Sequence, residues 1–189
     1  MLHLASQSPR RRQLLEQIGV AFRVVDVDVP EQRASGESPR DYVSRVARDK
    51  ARAGLAALAE PHAFVLGADT EVVLHDEVFG KPADAADAAA MLHRLSGRVH
   101  EVISVVWLVS AQGEWSDTSL SRVHMPALDE ATIAAYIATG EAFGKAGAYA
   151  IQGHGAKLIE HLEGSHSGVM GLPVYETARL LRSHGLIVA

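Results

Sequence analysis

The stretch Leu2-His3-Leu4-Ala5-Ser6-Gln7-Ser8-Pro9-Arg10-Arg11-Arg12-Gln13-Leu14-Leu15 sets the fold of this 189-residue chain. Leu2 to Leu4 reads as a short buried strand, and Ala5 to Ser8 as a tight loop of small polar residues. Ser8 takes the N-cap position of a helix and Pro9 the first helical position, where a missing N–H costs nothing. Leu14, Leu15 and Ile18 form its inward face, and Gly19 ends it as a C′ residue. Arg10, Arg11 and Arg12 crowd the first turn, which is the positive end of the helix dipole and the wrong end for cations. One arginine there reads as a solvated side chain. Three of them, behind a serine loop and beside free amide donors, describe a site for an anion, most simply a phosphate.

Outward from this unit, Phe22 to Val27 alternates as a strand, giving β–α–β with a parallel, right-handed crossover. Glu31 follows at the carboxyl end of that strand, the edge where open α/β sheets place their chemistry. Ser38-Pro39-Arg40-Asp41 caps a long helix whose inward face includes Tyr42, Val43, Val46, Ala47 and Ala51. Lys50 lies at the edge of that apolar stripe, where a lysine either snorkels past the core or reaches into a polar cleft. Phe64 to Leu66 reads as a buried strand that releases Asp69 through a Gly67-Ala68 step. Such a carboxylate is either functional or the cap of an Asx turn. Val72 to Phe79 is a hairpin turning at His75-Asp76, and Pro82 holds Lys81 in an extended conformation.

The second half alternates in the same way. Asp84 and Asp129 cap two helices, and between them His100 to Ser110 and Trp115 to Met125 form a long antiparallel hairpin. Gly144, Gly147, Gly153 and Gly155 surround Lys145 and Gln152, a density that brings backbone close to a ligand or through tight turns. Lys157 to Leu162 reads as a further strand, and Gly171-Leu172-Pro173 opens the last helix. Tyr42, Tyr136 and Tyr175 fall on inner helix faces. The expected fold is α/β: a mixed, partly parallel twisted sheet with flanking helices, the long hairpin forming a second lobe and a ligand cleft between the lobes. Residues 1–189 form a single domain.

Composition narrows the function. A net charge of −5 argues against a nucleic-acid surface, and 48% apolar residues fit a soluble globular chain. The absence of cysteine removes disulfides, thiolate nucleophiles and thiolate zinc sites. No apolar run reaches membrane-span length and the chain enters a strand at once, so the cytoplasm is the expected location. The ten histidines show no metal-ligand spacing, and His154, His161 and His166 are expected to face solvent. What remains is a set of opposite charges on one sheet edge. Glu31 and Asp69 offer oxygen ligands suited to Mg²⁺ or Mn²⁺ shared with phosphates. Arg10, Arg11, Lys50 and Lys81 come from three segments to neutralise an anion.

These segments, in this order, resemble the Maf family. The resemblance is carried by LASQSPRRRQLL, ESPRDYVSRVARDKA at 37–51, GADT at 67–70, GKP at 80–82, KAGAYAIQG at 145–153 and EGSHSGVMGLP at 163–173. It implies a two-lobed α/β fold, a homodimer, a divalent metal, and hydrolysis of a nucleoside triphosphate to the monophosphate and pyrophosphate. By the same resemblance Asp69 is the proton acceptor, and Ser8, Arg11, Glu31, Lys50 and Lys81 make up the polar active-site set. Arg10, Thr70 and Gln152 match the dTTP/UTP branch, where the 7-methyl-GTP branch carries Trp, Gln and Glu. The chain departs from the usual family pattern at Gln7 and over His166 to Met170.

The mechanism implied has the first helix with Arg10 and Arg11 holding the triphosphate and Lys50 and Lys81 neutralising the departing pyrophosphate. Glu31 and Asp69 hold the metal, and Asp69 takes a proton from water. Gln152 supplies the paired donor and acceptor of a pyrimidine edge, with CTP or modified pyrimidines as further candidates. Two rival readings are a house-cleaning pyrophosphatase for ITP or 7-methyl-GTP and a nucleotide-sensing inhibitor of septum formation that needs no catalysis.

Overall fold

Leu2–Ala5 (β1) is fully buried and runs parallel to two neighbours at once, Phe22–Val25 (β2) and Phe64–Leu74 (β3). Between β1 and β2 lies the helix Pro9–Gln17 (α1), which buries Leu14 and Leu15 and gives way to Gly19 at φ 70°. Between β2 and β3 lies the long helix Pro39–Ala57 (α2), opened by Pro39 and by the Ser38 hydroxyl accepting from the Asp41 amide at 3.1 Å. The computed structural model describes residues 1–187. Then follow Glu77–Phe79 (β4), Ala85–Leu95 (α3), Val99–Ser110 (β5), Gly113–His124 (β6) and Glu130–Ile137 (α4). The chain closes with His161–Glu163 (β7), His166–Met170 (α5) and Val174–Ser183 (α6). Among the described residues the strands form one mixed sheet, ordered β2-β1-β3-β5-β6-β7, with β4 also on β3. The fold class is the expected one.

The organising strand is β3. Its first half is parallel to β1, a pairing that ends at Ala5↔Gly67, and its second half is antiparallel to β4, starting at Val72↔Phe79. Along its other edge β5 pairs from Val65↔Val109 to Val73↔Glu101 without interruption. Ala68 to Glu71 therefore have a strand neighbour on one side and a gap on the other. This corrects the expectation of a strand that stops at Leu66: Gly67 to Thr70 lie inside an 11-residue strand, and Asp69 is released by the end of β1 rather than by the end of β3. The His75-Asp76 turn forms as expected, with both residues left-handed at φ 49° and 72°, as a two-residue hairpin requires.

Because side chains alternate along a strand, β3 serves three cores. Val73 joins Tyr42, Val43, Val46 and Ala47 of α2 on one face. On the other face, Leu66 and Ala68 pack with Leu14, Leu15, Leu172 and Leu181, while Val72 and Leu74 pack with Leu92, Leu95 and Tyr136. The two lobes are thus helical: α1 and α6 at one end of the sheet, α3 and α4 at the other. The long β5–β6 hairpin, expected as a lobe of its own, instead runs beneath both, since its residues enter both cores.

Two further expectations are corrected. Lys157 to Leu162 is not a strand: Gly153–Leu158 winds into 3-10 turns because the Glu141 carboxylate accepts from the His154 and Gly155 amides at 3.0 and 3.1 Å. Only His161–Glu163 pairs, with the β6 edge. Gly171-Leu172-Pro173 opens α6 as expected, with Pro173 as its N-cap, and a short helix, α5, capped by Ser165, precedes it. Tyr175 is 68% exposed, because the face α6 buries is set by Thr177, Ala178, Leu180 and Leu181.

Helix α2 rides directly on β3 at Gly67, where an added Cβ would fall 2.2 Å from the Ala47 carbonyl oxygen and 2.7 Å from the Ala51 amide. Gly67→Ala is expected to cost about 2–3 kcal/mol, the upper range of overpacking penalties, and to lower the urea midpoint measured at equilibrium. A pH response is built in at the other end of β5. His100 is 2% exposed with Nε2 2.7 Å from the Tyr149 hydroxyl and Nδ1 without a partner, and burial with the nearby His124 pushes it down to about 4. The unfolded chain takes up this proton near pH 6.5, so stability is intact above that value and falls as pH drops toward 4. Urea titrations should show a loss of about 2 kcal/mol between pH 7 and pH 4.5 that shrinks in His100→Gln.

Candidate active site

The nine residues expected in the site, Ser8, Arg10, Arg11, Glu31, Lys50, Asp69, Thr70, Lys81 and Gln152, all line one cleft of about 600 Å³. It lies between the lobes and passes through the gap in β3, so it reaches both faces of that strand.

The N-terminus of α1 forms one wall. Ser8 adopts the extended conformation of an N-cap, yet its hydroxyl caps nothing, and its own amide donates to Ser6 Oγ at 3.2 Å. The Ser8 hydroxyl and the first-turn amides are left for a ligand. Arg11 donates Nε to the Gly171 carbonyl at 2.7 Å and Nη1 to Ser6 Oγ at 3.3 Å, while Arg10 donates Nε to the Met170 carbonyl at 3.2 Å. Neither guanidinium makes an ion pair with a carboxylate among the described residues. Burial lowers the pKa of both; for Arg11 this is opposed by Asp69, Glu31 and Glu71, and for Arg10 it is compounded by Arg11. Two guanidiniums fixed by carbonyls and lacking counter-ions match the anion site read from the sequence. Arg12 is exposed, as is Gln7, whose amide donates to Asp26 at 2.6 Å.

The face of β3 toward α2 forms the second wall. Lys50 has turned into the cleft rather than snorkelling: Nζ lies 2.6 Å from Glu31 Oε1 and 2.8 Å from Asp69 Oδ1, with the side chain 12% exposed. Lys81 stands 3.6 Å from Glu31 Oε2, placed by β4 and the Gly147 N–H donating to the Gly80 carbonyl at 3.1 Å. Glu31 is held by its own loop. Arg33 donates to the Glu37 and Asp76 carbonyls at 2.7 and 2.6 Å, and Arg45 binds Glu37 and the Gln32 carbonyl. Burial opposes ionisation of Glu31, but the hydrogen bond and charge of Lys50, with Lys81 and Arg11, hold it below the usual range.

Thr70 points the opposite way from Asp69. Its Oγ1 lies 2.7 Å from Ser104 Oγ, whose proton goes to the Gly168 carbonyl at 2.6 Å, so Thr70 is the donor and turns only lone pairs outward. Gln152 shares this side, its Oε1 buried without a partner. Tyr136 and Glu141 fix the segment: the Tyr136 hydroxyl accepts from the Ala150 amide at 3.0 Å, and Glu141 binds the amides just after Gln152.

Two cleft residues were not among the expected site set, although Lys145 lies in the glycine-rich stretch noted above. Lys145, whose Nζ donates to the Phe143 carbonyl at 3.1 Å, is lowered by burial and by Arg10, so it belongs to the same cationic wall. Glu71 lies beside Asp69 on the α2 face and is 9% exposed; burial, with Asp69 and Glu31, pushes it up to about 8. Period-two alternation from Asp69 is the signal that finds Glu71, once β3 is known to continue. As to a metal, no group of three or more acidic or histidine ligands is preassembled among the described residues. The buried, unpartnered Oδ2 of Asp69 is nonetheless the kind of donor a hard cation takes, with phosphates completing its shell.

The dTTP/UTP pyrophosphatase of Xanthomonas oryzae pv. oryzae (strain MAFF 311018) is 57% identical over 98% of this chain and 99% of that protein. The dTTP/UTP pyrophosphatase of Xanthomonas campestris pv. campestris is 56% identical over the same shares. The nucleoside triphosphate pyrophosphatase of Xylella fastidiosa (strain 9a5c) is 53% identical over 96% of this chain and 97% of that protein. Among solved structures, the Staphylococcus aureus Ham1 protein matches at 13% identity with a TM-score of 0.43 over 66% of this chain and 71% of that one, too remote to speak to the site. The profile of Maf-like proteins matches residues 1–184, and with relatives more than half identical over nearly their whole length the chain belongs to the Maf family.

Proposed function

We propose that the chain hydrolyses dTTP and UTP to the nucleoside monophosphate and pyrophosphate. The observation that carries this reading is the pairing of two counter-ion-free guanidiniums at the α1 N-terminus with a Lys50-bridged carboxylate pair in the same cleft. Arg10, Arg11, Ser8 and the α1 amides bind the triphosphate, which carries charge they alone leave unbalanced. Water attacks the α-phosphorus while the bond from that phosphorus to the α–β bridging oxygen breaks, and pyrophosphate departs toward Lys50 and Lys81. Lys50 occupies only Oδ1 of Asp69 and Oδ2 has no partner, so this carboxylate retains the capacity to accept the water's proton. Asp69 would hold a divalent cation such as Mg²⁺ or Mn²⁺, which would supply charge neutralisation and a more acidic water. Base selection falls to the other face of β3. The Gln152 amide offers an acceptor for the N3–H of uracil or thymine and a donor for an adjacent carbonyl, and a base with a different edge would leave that buried amide unpaired. The names of the Xanthomonas relatives support the same substrates. We further read the protein as a cytoplasmic homodimer without a nucleic-acid partner, in keeping with its net charge of −5.

Two measurements test this. With Mg²⁺ or Mn²⁺, dTTP and UTP should be turned over faster than CTP, ITP and 7-methyl-GTP, releasing pyrophosphate rather than orthophosphate. Binding without pyrophosphate release would favour a sensor, and preference for ITP or 7-methyl-GTP a purine pyrophosphatase. Asp69→Asn should lower kcat by about 100-fold or more with an unchanged unfolding midpoint, whereas near-normal turnover would remove Asp69 from the proton-accepting role.

A further inference from the structure

The α2 face of β3 carries three carboxyl groups, Glu31, Asp69 and Glu71, against two ammonium groups, Lys50 and Lys81. Asp69 and Glu71 are two residues apart on one face, with Cα atoms roughly 7 Å apart, close enough for both carboxylates to reach one point. Lys50 is shared between Glu31 Oε1 at 2.6 Å and Asp69 Oδ1 at 2.8 Å, and Lys81 faces Glu31 Oε2 at 3.6 Å. Both oxygens of Glu31 therefore face ammonium groups. Glu71 makes no ion pair among the described residues. Its Oε2 and the Oδ2 of Asp69 are buried without a hydrogen-bond partner, although both residues line the cleft. Two orphaned carboxylate oxygens side by side cost free energy that neither packing nor a neutral donor recovers. Two carboxylates with room for phosphate oxygens and water are the protein ligands that Mg²⁺ or Mn²⁺ takes in nucleotide sites.

We propose that Glu71 is a ligand of the divalent cation and shares it with Asp69, while Glu31 serves to aim Lys50 and Lys81. Glu71 lies beyond the GADT motif and no family resemblance assigns it. The proposal rests on the pyrophosphatase reading only for the phosphate oxygens that complete the shell; the protein ligands follow from β3 itself. Lys50 need not leave Glu31 for the cation to bind, because its contacts use the opposite oxygen of Asp69.

The test is a Mn²⁺ titration of the nucleotide-free, full-length protein, reading the free ion by electron paramagnetic resonance. Wild type should take up one Mn²⁺ saturably. Glu71→Gln should raise the Kd by about tenfold or more, as should Asp69→Asn, whereas Glu31→Gln should change it by less than about threefold. Glu71→Gln keeps the side-chain shape and replaces a buried, unpartnered carboxyl group, so its thermal midpoint in EDTA should not fall below that of wild type. The proposal is overturned if Glu71→Gln binds Mn²⁺ as tightly as wild type, if Glu31→Gln alone loses it, or if wild type shows no saturable uptake. Because no nucleotide is present, failure of the substrate panel would leave this result untouched.

Discussion

The site depends on an interruption in the hydrogen-bonded edge of one strand. β1 leaves β3 after Gly67 and β4 joins it at Val72, so four residues between them lack a neighbour on that side. An uncovered strand edge is ordinarily a liability, since it offers backbone donors and acceptors to any extended chain. Here it lies inside a cleft walled by α1, α2 and the 143–152 segment, which keeps other strands away while admitting a small anionic ligand. The gap also lets one cleft reach both faces of the sheet, so Asp69 and Thr70, pointing in opposite directions, can serve the same molecule.

Charge is distributed with equal economy. The protein as a whole is acidic at −5, yet Arg10 and Arg11 face the cleft without counter-ions, held by main-chain carbonyls of Met170 and Gly171. Carbonyl partners fix a guanidinium in space while leaving its charge unspent, which a carboxylate partner would not. Across the cleft the logic is reversed: Lys50 is fully committed between two carboxylates, and its charge steers their geometry. Placing Lys50 there requires α2 to lie almost on the backbone of β3, and only a residue without a Cβ at position 67 permits that approach.

Much of this was legible in the residues. The cap and proline of α1, the first-turn arginines, the capping of α2, α3 and α4 and the His75-Asp76 turn all have strong local signals, and these elements form as the signals require. The errors share one cause, which is that tertiary pairing overrode a local pattern. Gly67-Ala68 looks like a strand end, but β5 runs past it and keeps the strand going. Reading it as a loop hid Glu71, because alternation cannot be applied across a loop. Lys157 to Leu162 has strand composition, but the Glu141 carboxylate captures two amides just before it and winds the chain instead. The hairpin was found, while its place beneath both lobes depends on contacts with β3 that no local window contains.

The same strand that separates chemistry from recognition also couples them. Asp69 and Thr70 are adjacent, so a slip of one residue would exchange them between faces, placing a carboxylate against Ser104 and a hydroxyl against Lys50. Register is fixed from two directions: by nine paired positions with β5, and by a two-residue turn to β4 whose left-handed His75 and Asp76 leave no slack. Arg33 ties that turn to the loop carrying Glu31, with its guanidinium on both the carbonyl and the carboxylate of Asp76. The acidic cluster, the lysines and the Thr70 hydroxyl are therefore set by one register, and none can shift along β3 without the others.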